Sequence, residues 1–95
     1  MPPLRRLVLD VLKPHEPTML TLGREIADLS TVEAATTDLV EIDEEVREVT
    51  LTIEGAELDY DEIVTVVDDL GGSVHSIDQA AYGEYVAVGP ALDRE

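Results

Sequence analysis

The sequence predicts an α+β domain: a ferredoxin-like βαββαβ sandwich, with a four-stranded antiparallel sheet carrying two helices on one face. Three observations predict it. Val49, Leu51 and Ile53 alternate with Glu48, Thr50 and Thr52, the period of a half-buried strand. Met19, Leu22, Ile26 and Leu29, and later Ile63, Val66, Val67 and Leu70, recur at helical spacing. The elements then fall in the order strand, helix, strand, strand, helix, strand. A chain of 95 residues has room for one core, so residues 1–95 are expected to form a single domain with a short C-terminal tail over about 83–95.

Leu4 to Leu12 reads as the first strand. It ends at Lys13-Pro14-His15-Glu16-Pro17, where two prolines make a rigid corner. Pro17 suits the first helical turn, because its missing N–H would be unpaired there anyway. The first helix is expected from about Pro17 to Leu29, weakened slightly by Gly23. Ala34 to Asp43 reads as the second strand, Asp43-Glu44-Glu45 as a hairpin connection, and Val46 to Glu54 as the third strand. Gly55-Ala56-Glu57 breaks the pattern. Asp59 is then the expected N-cap of the second helix. Glu62 completes a capping box, and Leu58 and Ile63 form a hydrophobic staple. Gly71-Gly72 ends that helix, since glycine accepts the left-handed conformation found there. Ser73 to Ala81 reads as the fourth strand. In the tail, Tyr85-Val86-Ala87-Val88 is the one apolar piece.

Leu, Ile and Val make up 29 of the 95 residues, enough for a folded aliphatic core, with three Tyr and no Phe or Trp. The absence of Cys excludes disulfides, thiolate metal sites and Cys nucleophiles. The 22 acids against 6 Lys and Arg leave a net charge of −16, and Lys13 is the only lysine. Such a field repels nucleic-acid phosphates and anionic membrane surfaces, so neither is an expected partner. Two readings of the acidity compete. One is a halophilic surface, kept soluble in a salty cytoplasm. The other is a cation-binding surface. Acids spread along the whole chain favour the first, and the two coexist without conflict. No apolar run is long enough to span a membrane, and Asp10 interrupts the run after Arg5-Arg6, which argues against a signal peptide. A soluble, cytoplasmic protein is expected.

The segments Leu9-Asp10-Val11-Leu12-Lys13-Pro14-His15-Glu16-Pro17, Asp59-Tyr60-Asp61-Glu62-Ile63 and Gly71-Gly72-Ser73-Val74-His75-Ser76-Ile77-Asp78 resemble an archaeal family known as domain-of-unknown-function family 211. The resemblance runs from about Leu4 to Tyr82. It implies a ferredoxin-like fold, ring-like homo-oligomers and calcium binding, and it brings no enzymatic activity. The extreme acidity is the departure from the pattern and looks like that of a haloarchaeal member.

In the expected topology one rim gathers the end of strand one, the start of helix one, the hairpin, the end of helix two and the start of strand four. Asp10, His15, Glu16, Asp43, Glu44, Glu45, Asp68, Asp69 and His75 fall there. Asp10 is the most unusual, because it interrupts an apolar strand. Leu7, Leu9 and Val11 are expected to face the helices; Val8, Asp10 and Leu12 face the open side. A carboxylate there must be solvated, paired or bound to a cation, since a lone buried charge costs several kcal/mol. A plain ion pair or exposure is one reading and a cation site the other. The candidate cation ligands are Asp10, His15, Glu16, His75 and Asp78. Each has a plainer role available: His75 as a structural histidine, His15 and Glu16 as caps of helix one, Asp78 as a partner of Arg6. Asp68 and Asp69 crowd a helix C-terminus, where the dipole disfavours acids and either salt or a cation relieves them.

Missing motifs narrow the chemistry. Asp59-x-Asp61 lacks the glycine and later ligands of an EF-hand. There is no phosphate loop and no His-Glu-x-x-His. Ser73 and Ser76 near His75 lack any mark of an oxyanion hole, so a nucleophilic enzyme is not expected. What remains is a non-enzymatic homo-oligomeric module binding divalent cations, calcium first, at the acidic rim or a subunit boundary. The alternative is a regulatory domain holding a small molecule between subunits, an analogy at the level of fold. Oligomerisation is expected because Val8, Leu12, Val86 and Val88 have no place in a single helix-covered core.

Overall fold

The computed structural model describes residues 1–84. Its elements follow the predicted order: β1 Leu4–Pro14, α1 Met19–Ala27, β2 Ala34–Ile42, β3 Val46–Glu54, α2 Tyr60–Asp69 and β4 Ser73–Tyr82. The sheet runs β2-β3-β1-β4, and every neighbouring pair is antiparallel. This is the ferredoxin-like arrangement. Tyr85-Val86-Ala87-Val88, assigned above to the tail, lies outside the described residues.

Alternation sorts β1 cleanly. Leu7, Leu9 and Val11 are buried toward the helices together with Leu51 and Ile53 of β3. Leu22 and Ile26 from α1 and Ile63 and Val67 from α2 close the core from the other side. Burying each such side chain is worth about 1.5–3 kcal/mol, so this aliphatic layer is the main source of stability. Val8 and Leu12 stay half-buried on the side without helices, as the alternation predicts.

Three local outcomes differ from the sequence reading. β1 continues two residues past Leu12, because Lys13 and Pro14 still pair with Arg47 and Val46 of β3. Helix α1 starts later than Pro17, because the Thr18 hydroxyl caps it by accepting from the Thr21 N–H at 3.4 Å. Asp59 does cap α2, accepting from the Glu62 N–H at 3.2 Å. The Glu62 carboxylate turns instead to the Thr31 hydroxyl, at 3.5 Å. At the far end, Gly71 takes a φ of 85°, and the Gly72 N–H donates to the Val67 carbonyl. That is the expected glycine stop.

The β2–β3 hairpin is fastened by one side chain. Asp43 Oδ1 accepts from the backbone N–H groups of Glu45 and Val46, at 3.0 and 2.9 Å. These donors hold the Asp43 carboxyl below the usual aspartate range, with a smaller contribution from the His15 charge.

Candidate functional site

Asp10 stands at the middle of β1, an inner strand of the sheet, on the face opposite α1 and α2. Thr50 of β3 lies opposite it on one side and Ser76 of β4 on the other. Those neighbours leave it only 9% exposed, and its Oδ1 is buried with no hydrogen-bond partner. A carboxylate oxygen in that state is costly, and each such group calls for an explanation.

Glu48 is the nearest acid. It lies opposite Leu12 on β3, one diagonal step from Asp10, within reach for side chains on one sheet face. Its carboxyl is pushed above the usual glutamate range. The largest cause is a side-chain hydrogen bond with Asp10; partial desolvation follows, then the charges of Asp10 and Glu41. The His75 charge pulls in the opposite direction. Glu41 pairs directly with Glu48 across the β2–β3 ladder. Asp10, Glu48 and Glu41 thus form a carboxyl row across three strands, with His75 close enough to act on it.

Strand β4 pairs irregularly with β1 beside this face. Its pairing with β1 shifts register between Val8 and Leu9 and again between Asp10 and Val11. The residues left over at those shifts are Asp78 and His75. Bulges re-aim side chains, and they concentrate at edges and beside functional sites. Asp78 accepts from the Ser76 hydroxyl at 2.7 Å. Arg6, its expected partner, forms an ion pair with Glu54 at 3.5 Å.

The five residues singled out from sequence therefore divide. Asp10 and His75 sit near one another, and Asp78 is three residues along the same strand. His15 and Glu16 do not join them. Pro14 is already four residues, about 13 Å, beyond Asp10. His15 there shares a 3.0 Å hydrogen bond with the Asp43 carbonyl, and the charge of exposed Glu16 acts on Lys13. Among the described residues no group of three or more His, Asp or Glu side chains converges tightly enough to hold a metal ion within one chain. Glu48 and Glu41 were missed. Their only sequence signal is their place in the polar phase of strands two and three, which does not distinguish them from solvated acids.

The described surface has hollows both beside this geometry and away from it. A cleft of about 150 Å³ between Leu12, Glu41, Asp43, Val46 and Glu48 adjoins the carboxyl row. A larger one of about 460 Å³ lies at the start of α2, among Leu4, Thr31, Leu58, Tyr60 and three acids, away from Asp10. The small cleft is below the usual volume for an organic ligand, about 300–1,000 Å³, and fits an ion or a few waters better. Among the described residues no helix is long and apolar enough to cross a membrane.

Fold and site together define a small ferredoxin-like α+β protein with an acidic sheet face opposite its two helices. The family model described as Uncharacterized ArCR, domain-of-unknown-function family 211, matches residues 5–93. An uncharacterized protein of Methanocaldococcus jannaschii is 42% identical over 83 residues, which is 87% of this chain and 86% of that protein. The chain belongs to this archaeal family.

Proposed function

We propose that this protein is a non-enzymatic, homo-oligomeric module that takes a divalent cation, Ca²⁺ first, on the open face of its sheet at a boundary between copies. The observation that carries the reading is the buried, unpartnered Oδ1 of Asp10 beside a second carboxyl. A cation would satisfy that oxygen and separate the two acids. Asp10 is the anchor, Glu48 and Glu41 are the added oxygen donors, and His75 and Asp78 flank them.

The described residues of one chain supply too few converging ligands for Ca²⁺, which takes six to eight oxygens. A second copy laid against the same face would supply the rest, so that binding and association become linked. Association also has its own motive. β2 and β4 are the sheet's edges, and Val40, Ile42 and Ile77 on them are each more than half exposed. Pairing β2 of one copy with β4 of the next is a head-to-tail contact, the kind that closes into rings.

Calorimetry in molar KCl tests the reading. Saturable Ca²⁺ binding that Asp10→Asn abolishes is the expected result. Featureless heats, or heats unchanged by Asp10→Asn, leave only a generic acidic surface. A small organic ligand trapped between subunits would instead show as binding that is indifferent to chelators.

A further inference from the structure

On the opposite side of the sheet, at the rim, two of the six basic residues stand directly across from each other. Lys13 of β1 pairs in register with Arg47 of β3. Like charges in that position repel. The repulsion is not relieved by solvent at Lys13, which is 3% exposed. The Gly71–Gly72 turn closes over it: a side chain at Gly72 would meet the Leu12 carbonyl and the Lys13 Cβ. The Lys13 amine is held below the usual lysine range, first by desolvation and then by the Arg47 charge, against a weaker pull from Glu16.

The chain has 22 acids, yet among the described residues none forms an ion pair with either cation. Lys13 Nζ donates to the carbonyl of Pro14 at 2.6 Å. Arg47 Nε is buried with no hydrogen-bond partner. Among the described residues the ion pair is made elsewhere, between Arg6 and Glu54. The adjacent α2 C-terminus explains why one cation is tolerated here, since its dipole favours positive charge. It does not explain a second cation with an unbonded buried donor. Arg47 as a whole is half-buried, so part of the residue reaches solvent although its Nε does not.

We propose that the Lys13–Arg47 pair is an anion site at the helix-side rim, built to take one small oxyanion, a phosphate or a carboxylate. The anion bridges the two cations, accepts from Arg47 Nε and offsets the desolvation of Lys13. A planar guanidinium beside a point-charged amine is a common set of partners for such groups. The site is on the other side of the sheet from the acidic face and does not depend on cation binding there.

Because Lys13 is the only lysine, protein labelled with ¹³C-lysine has one lysine side-chain signal set. Phosphate is titrated in place of chloride at constant ionic strength, with acetate in a parallel series. The expected result is a saturable shift of the Lys13 Cε signal and a rise in its pKa. Arg47→Gln should weaken the apparent affinity by about tenfold, the scale of one charge-assisted hydrogen bond. Arg24→Gln, at an exposed position on α1, should leave it unchanged. Tighter saturation by acetate than by phosphate assigns a carboxylate ligand, and the reverse assigns a phosphate. A shift that never saturates with either anion, or one that persists in full in Arg47→Gln, overturns the proposal. The wild-type titration alone decides the first point, whether or not Arg47→Gln folds.

Discussion

Asp10 on β1 and Glu48 on β3 lie on a diagonal of the open sheet face, and the Asp10 carboxyl makes Glu48 harder to ionise. Asp10 keeps a buried oxygen without a partner, and Glu48 is pushed above the usual glutamate range. The pair has a sign that can be tested. A raised native pKa means that the folded state holds the Glu48 proton more tightly than the unfolded chain does. The resulting stability is fully present below the ordinary glutamate pKa of 4.5 and is lost as pH rises through the raised value. Glu48→Gln removes the repulsion, so in molar KCl with a chelator present it should melt above wild type at pH 7, with the gap closing near pH 4. An equal gap at both pH values would sink the idea.

Asp43 has the opposite sign. Backbone donors depress its pKa, so its contribution exists above about pH 3.8 and fades as pH falls through the lower native value. Asp43→Ala should lower the melting temperature at neutral pH, and the difference should narrow progressively toward pH 2. A constant difference across that range would mean that the carboxylate is not what fastens the hairpin.

Gly55 is buried where the chain leaves β3. A Cβ there would collide with the Thr31 carbonyl and crowd Leu58. Gly55→Ala should destabilise by about 1–3 kcal/mol, the usual range for overpacking. Chemical denaturation that gave wild-type stability would show that the Thr31 loop moves aside freely.

The exposed edges predict the state of assembly. Val40→Lys puts a charge at the register shift of the β2 edge, the kind of change that natural sheets use to block edge pairing. Light scattering in molar KCl should give a multiple of 10.4 kDa for wild type and a smaller mass for the variant. A wild-type monomer at high protein concentration refutes the oligomer itself.

Salt should govern the fold. A net charge of −16 on 95 residues repels itself over a Debye length of about 30 Å at 0.01 M salt and about 3 Å at 1 M. The melting temperature should rise steeply with KCl. A flat profile would remove self-repulsion as a factor in stability.

The sequence by itself determined the order of elements, the helix-facing side of β1, the caps at Asp59 and Gly71, and the singular position of Asp10. Each of these is a local property: a period of two or of 3.6, a capping side chain, or a charge set in an apolar run. Only the tertiary structure decided which acids meet. Glu48 and Glu41 join Asp10 because the antiparallel register aligns β2, β3 and β1, and His75 joins them through a bulge. His15 falls away because β1 runs on to Pro14. Lys13 and Arg47 lie 34 positions apart in the chain, and only that same register sets one against the other. Register and bulges depend on cross-strand pairing between distant segments, and a single chain read from end to end carries no local signal for them.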